Sequence, residues 1–294
     1  MESQPLTSCE PGTYSNGGHY RIEVPSIEGP KVFEALLLSA RGFGLTINRI
    51  SQGSGGMLLL KSEIREMAQI GAANNIEVCL FVGPRAGYDV GLLAHTNSKF
   101  AAYSAIRGNE QMNNAIADID RAVECGIRAF LIGDLGLLQV VRERQSQGLL
   151  PKNIHWKVSA YLPVANASMI KLVESLGASS VNIPSDLSYQ QINEMREAVQ
   201  IPLDIYVEAM DSSGGTIRIV EMHSLIRAGA PLCVKFGLAN AASLYPAGEH
   251  NMEGAIKIAQ AKARRAAIAK EWLDRLDPEL QQSFNDHTAS IPEV

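Results

Sequence analysis

The sequence predicts one closed barrel of eight parallel β-strands alternating with α-helices. Three observations predict it. Short segments rich in branched and aromatic residues alternate with amphipathic stretches, the order that demands parallel strands and right-handed crossovers. The alternation repeats eight times with no break in composition, and 294 residues is near the usual size of one such barrel. An open doubly wound sheet typically uses fewer strands and leaves two edges to protect.

The elements follow in chain order. Residues 1–18 are polar and glycine-containing, with no cationic start leading into an apolar stretch, so they read as an N-terminal tail rather than a secretory leader, and the barrel as residues 19–294. Strand one is placed at Tyr20–Pro25, strand two at Leu45–Ile50 and strand three at Ile76–Val82. A long connection, Ala86–Glu110, follows and carries Tyr88, Asp89, His95 and Tyr103; loops of this length are usually lids, interfaces or small helical insertions. Strand four is placed at Ala129–Asp134 and strand five at Trp156–Leu162. A helix over Ser168–Leu176 is stopped by Gly177, and strand six follows at Ser180–Pro184. The next helix, Ser188–Val199, is closed by the Ile201-Pro202 step before strand seven at Leu203–Ala209. Strand eight is placed at Leu232–Gly237. A helix over Met252–Leu276, longer than the others, suits a contact between copies of the chain as well as barrel closure, and Asp277-Pro278 then caps and starts a short final helix.

Composition narrows the function. A net charge of -5, from 26 basic and 31 acidic residues, argues against binding nucleic acid or an anionic membrane by bulk attraction. No apolar run approaches the roughly 20 residues that span a bilayer. Cys9, Cys79, Cys125 and Cys233 are widely separated, form no CxxC pair and have no adjacent histidine, the pattern of reduced thiols in a cytoplasmic protein. The partner expected is a small anionic molecule, a reading that rests on Arg85 and on the glycine loops after strands seven and eight.

Side chains alternate along a barrel strand between the helices and the lumen. In Leu203–Glu208 the aliphatic residues take one parity, and Asp204, Tyr206 and Glu208 take the other. In the last strand Cys233, Lys235 and Gly237 face inward. The same rule sends Glu23, Asn48, Arg85, Asp134, Lys157, Ser159, Tyr161 and Asn182 to the lumen, with Asp204 and Lys157 deeper, as supporting residues. Barrel enzymes take catalytic residues from the C-terminal ends of several strands, where Asn48, Arg85, Asp134, Tyr161, Asn182, Glu208 and Lys235 are expected. A salt-bridge network that only holds the barrel together is the alternative, but buried charge pairs carry a desolvation penalty that apolar packing avoids.

Two chemistries fit this ring. In one, Lys235 acts as base or Schiff-base nucleophile, Glu208 or Tyr161 moves protons, and the planar fork of Arg85 holds a carboxylate. In the other, no cofactor is certain, but Asp134, Glu208 and His250 bind a divalent metal; no HExxH, HxH or DxD spacing supports it. Anion binding is expected at the loop after strand seven, with Gly214 and Gly215, and at Gly237 to Ser243 after strand eight, with Asn240.

The stretch Leu176-Gly177-Ala178-Ser179-Ser180-Val181-Asn182-Ile183-Pro184-Ser185-Asp186-Leu187-Ser188, continued to Asp204-Ile205-Tyr206-Val207-Glu208-Ala209, resembles the collagenase-like peptidases of unassigned catalytic type, family U32. The resemblance implies a β/α (TIM) barrel and a hydrolase, and it carries over Asn182 and Glu208 as strand-end polar positions. Where that family commonly has a cysteine-rich signature, this chain has Met210-Asp211-Ser212-Ser213. The leading expectation is a lyase or isomerase acting on a small carboxylated or phosphorylated compound. A hydrolase, metal-assisted or not, and a non-catalytic metabolite-binding barrel are the alternatives.

Overall fold

The computed structural model describes residues 11–83, 105–286 and 290–294. Arg85, Tyr88, Asp89, His95 and Tyr103 lie outside the described residues. The strands are β1 (Tyr20–Pro25), β2 (Arg49–Gln52), β3 (Glu77–Phe81), β4 (Ala129–Ile132), β5 (His155–Val158), β6 (Ser180–Asn182), β7 (Leu203–Glu208) and β8 (Leu232–Phe236). Each pairs in parallel with its neighbours, and β1 closes on β8. The chain is a TIM barrel. No described helix is long and apolar enough to cross a membrane.

One parity of each strand faces the surrounding helices and forms the main core. Ile22 and Val24 of β1, Phe130 and Ile132 of β4, and Leu232 and Val234 of β8 are buried there among helix side chains. Phe130 stacks on Trp156 with ring centroids 5.5 Å apart. Each such side chain gains about 1.5–3 kcal/mol by leaving water. The other parity points inward, and its small apolar cluster is Cys79, Phe81, Ala129 and Leu131, with Tyr161 against it.

The helices are α1 (Pro30–Gly42), α2 (Lys61–Ala73), α3 (Gly108–Glu124), α4 (Leu135–Ser146), α5 (Ala167–Ser175), α6 (Tyr189–Ala198), α7 (Met222–Gly229) and α8 (Met252–Leu276). Their starts are written locally. Ser188 Oγ accepts from the Gln191 amide while Gln191 Oε1 accepts from the Ser188 amide, a reciprocal cap for α6. Asn166 Oδ1 accepts from the Met169 amide at the start of α5. Helix α8 buries Ala255, Ala259, Ala263 and Ala266, whose small side chains let it lie close against the barrel.

Several elements differ from expectation: β4 ends at Ile132 rather than Asp134, β5 at Val158 rather than Leu162 and β6 at Asn182 rather than Pro184. β2 begins at Arg49, four residues beyond the expected start. The final helix after Asp277-Pro278 does not form. Instead the His19 amide donates to Gln281 O at 2.7 Å, the Ser283 amide donates to Tyr20 O at 2.7 Å, and Gln282 bridges Tyr20 in parallel. The open N-terminal rim of β1 offers backbone partners that a short isolated helix could not replace.

Candidate active site

The lumen is ionic at its centre. Arg49 reaches three carboxylates: Nε donates to Glu77 Oε2 at 2.6 Å, and Nη1 donates to Asp204 Oδ1 at 2.9 Å and to Glu23 Oε2 at 3.2 Å. Lys157 donates to Glu23 Oε2 and lies 3.4 Å from Asp204 Oδ1. Ser51 Oγ donates to Glu23 Oε1 at 2.6 Å. Lys235 Nζ completes the set, 3.3 Å from the same Glu23 oxygen.

Three cations therefore match three carboxylates with almost no exposure to water. Burial opposes ionisation of Glu23, yet Lys157, Lys235 and Arg49 hold its carboxyl well below the usual range. Burial likewise opposes the charge on Glu77, but Arg49 brings it down to about 2. Asp204 is lowered against the same opposition by Lys157 and Arg49. Left without these cations, each carboxylate would be driven to its neutral form.

Above this layer, toward the strand C-termini, a cavity opens. All eight strands or the residues directly after them contribute: Pro25, Ser51, Phe81, Leu131, Ser159, Asn182, Tyr206 and Lys235. Gln52, Gly53 and Ala160 and the loop residues Ser26, Tyr161, Met210, Ser213 and Tyr245 complete the lining. Lys235 Nζ donates to Asn182 Oδ1 at 2.6 Å and sits 4.3 Å from the centre of the Tyr206 ring. Its side chain is 2% exposed, and it is the one ionisable cation among the described lining residues. Burial pushes the Tyr206 and Tyr245 phenols up, so both remain donors near neutral pH.

The expected site residues divide into two groups. Lys235, Asn182 and Tyr161 share the cavity. Asp134, Glu208, Asn48, Asn240, His250, Gly214 and Gly215 are not part of its lining. Asp134 has the parity of Phe130 and Ile132; its Oδ1 accepts from the Leu137 amide as the cap of α4, and its Oδ2 accepts from the Ile106 amide. Asn48 precedes β2 at the opposite rim, accepting from the Ile22 amide and donating to Ser283 O. Glu208 follows an irregularity in the β7–β8 register, which pairs Tyr206 with Lys235 but Glu208 with Phe236. That extra residue turns its carboxylate outward, to the Ala239 amide at 3.0 Å and to Arg265 Nε of α8 at 3.3 Å.

The anion loop is also committed elsewhere. The Gly214 amide donates to Asp211 O, the Gly215 amide to Met210 O, and the Asn240 amide to Asp211 Oδ1. His250 is exposed in the turn before α8. Asp134 and Glu208 are thus held by separate partners, and with His250 they do not gather their ligand atoms into a metal site. Among the described residues, Glu23, Asp204 and Cys233 do bring ligand atoms within 4.8 Å of one another. Arg49 and Lys157 already insert their N–H groups between those carboxylates, and burial keeps the Cys233 thiol protonated, so the set does not fit a divalent cation.

Sequence reasoning missed Arg49, Ser51 and Glu77. Their signal was present: Val78, Leu80 and Ile50 mark the outward parity, which leaves Glu77, Arg49 and Ser51 facing in.

The model of peptidase family U32 matches residues 93–210, less than half of the chain, a partial resemblance. No curated protein matches. A protein described as the copper homeostasis protein CutC, from Streptococcus agalactiae, is similar in structure at a TM-score of 0.50 and 15% identity, over 74% of this chain and 98% of its own. A protein described as a lyase/mutase from Burkholderia cenocepacia J2315 gives 0.47 and 13%, over 92% and 85%. The U32 peptidase Mk0906 gives 0.47 and 11%, over 79% and 97%. At such identities the first of these likenesses shows the fold alone.

Proposed function

We propose that the chain is an enzyme of the lyase or isomerase kind, acting on a small carbonyl compound that bears a carboxylate or phosphate. One observation carries this reading: Lys235 presents a nearly buried cationic head to a cavity ringed by hydroxyl groups, fixed by Asn182 and backed by Glu23. A substrate carbonyl oxygen against Lys235 Nζ would find a positioned donor where negative charge develops as a neighbouring C–H or C–C bond breaks. The electron pair of that bond moves into a C=C bond while the carbonyl π pair moves onto oxygen. Lys235 supports the resulting enolate. The proton lost from carbon, or from the hydroxyl of the departing fragment in C–C cleavage, passes to Tyr161 Oη as that phenol hands its own proton to water, the reverse relay returning it.

The test is deuterium exchange at carbons beside the carbonyl in a panel of small keto acids and keto phosphates, followed by proton NMR in D2O. The expected result is exchange of at least one compound, lost in Lys235→Met. No exchange across the panel, or exchange retained in Lys235→Met, overturns the reading. Reduction with borohydride during exchange separates a covalent imine at Lys235, which adds the compound's mass, from a hydrogen-bonded enolate, which does not.

The match of residues 93–210 to a peptidase family supports a hydrolase as the second reading. Peptide hydrolysis by the purified chain, abolished in Lys235→Met, would favour it.

A further inference from the structure

A second chamber lies between the segment that follows β8 and helix α8. It shares Ser26, Met210 and Tyr245 with the barrel cavity, so those three side chains form the partition between the two. Its other walls are largely apolar, from Leu238, Ala241, Leu244 and Ile258. Two ionisable side chains other than Tyr245 break this lining, Asp211 and Lys262 of α8, and Lys262 lines the chamber although only 1% of it is exposed. Among the described residues its amine makes one hydrogen bond, to Pro25 O at 2.7 Å. An ammonium has three N–H donors.

A purely structural role explains this badly. A neutral donor would tie α8 to the end of β1 as well, without the cost of burying a charge. The nearby carboxylate of Glu28 is occupied by the Gly53 and Ser54 amides, at 2.9 and 3.0 Å. The chamber is thus a largely apolar room with one under-used amine in its wall, and its one carboxylate, Asp211, already accepts from the Asn240 amide.

We propose that this chamber binds an aliphatic carboxylate, the chain against Leu238, Leu244 and Ile258 and the carboxylate on Lys262, with the far end of the molecule reaching the Lys235 cavity past Tyr245. The last part rests on the reading of Lys235 given above; the binding of the carboxylate does not. A carboxylate suits the site better than a phosphate. There is one cation, Asp211 is in the same lining, and the amides of Gly214, Gly215 and Asn240 that could cradle a dianion are already used.

Protonation gives a signature specific to Lys262. Burial brings its amine down to about 7, with Glu28 the opposing influence. The groups facing it are Glu28 from the β1–α1 connection, Asp211 after β7 and Tyr245 after β8, and burial holds the Glu28 carboxyl and Tyr245 phenol up. Below about pH 7 the amine already carries its proton. Above that, a bound carboxylate must draw a proton onto it.

The experiment is calorimetric titration of the full chain with straight-chain carboxylates from acetate to octanoate, in buffers of different ionisation enthalpy. Affinity is expected to rise with chain length and to fall at least about tenfold in Lys262→Met, a charge-pair loss of about 1.4 kcal/mol or more. Proton uptake should approach one per hexanoate bound at pH 8 and be near zero at pH 6. Equal affinity in Lys262→Met, no saturable binding, or uptake that does not change with pH overturns the proposal, and tighter binding of hexyl phosphate overturns the choice of carboxylate. The uptake needs only the wild-type chain, so it decides the matter if Lys262→Met does not fold. Lys235→Met should still bind hexanoate. Lys262-dependent binding without deuterium exchange would leave the chamber standing and remove the reading of Lys235.

Discussion

Lys235 Nζ lies 3.3 Å from Glu23 Oε1, across the β1–β8 pairing in which these two residues are direct register partners. The contact that presents the amine to the cavity therefore also fastens the seam where the barrel closes. Glu23 additionally meets Arg49, Lys157 and Ser51, so it is the point on which the luminal charges converge.

Glu23→Gln is expected to destabilise the fold by about 3–5 kcal/mol, because it leaves buried cations without their counter-charge. Urea unfolding at pH 7 measures the loss. Adding Lys157→Met should restore part of it, since the double variant removes one of the stranded charges. A Glu23→Gln chain as stable as wild type would show that the cations find other partners.

Stability should fall with acid in two stages. The His155 pKa is lowered from 6.5 to about 4 by burial, helped by Arg49, so between those values the unfolded chain binds a proton that the native chain refuses. Glu77, depressed to about 2, contributes stability that is complete above the usual carboxylate range and lost as pH falls toward that value. Both slopes are positive with pH. His155→Gln should flatten the upper stage and leave the lower one, as followed by thermal unfolding in steps from pH 7 to pH 3.

Asp134→Ala removes the cap of α4 and should cost about 1 kcal/mol of stability. It should leave any deuterium exchange dependent on Lys235 unchanged. A large loss of exchange without a comparable loss of stability would return Asp134 to the chemistry.

Gly53→Ala tests the partition between the chambers. A Cβ on Gly53 would stand 2.3 Å from Tyr245 Oη and 2.5 Å from its ring, so the phenol must leave its hydrogen bond with Ser26. The expected cost is about 1–3 kcal/mol. The two cavities should also merge, weakening the chain-length dependence of carboxylate binding measured by calorimetry.

Much of the barrel was legible because parity and helix punctuation are local signals. Tyr20–Pro25 and Met252–Leu276 were read with their observed limits. The site was less legible, since two of its errors arise from facts that no short window contains and a third from a local cap read as a strand end. Asn48 depends on where β2 begins, which is set by its pairing with Glu23 and Glu77. Glu208 depends on a bulge created jointly by β7 and β8. Asp134 looked like a strand-end acid and is claimed by the Leu137 amide at the start of α4 and by the Ile106 amide. Lys235 and Asn182 do reach the cavity, because their strands keep regular alternation up to it.

The segment after α8 has a further consequence for the base of the barrel. Ser283 closes on Tyr20, Asn285 donates to Asn48 O, and the Ser290 amide donates to Glu77 Oε1 at 2.8 Å. Residues more than forty positions beyond the last strand thus stitch together the bases of the first three, and loss of that stretch would leave Glu77 short of one donor.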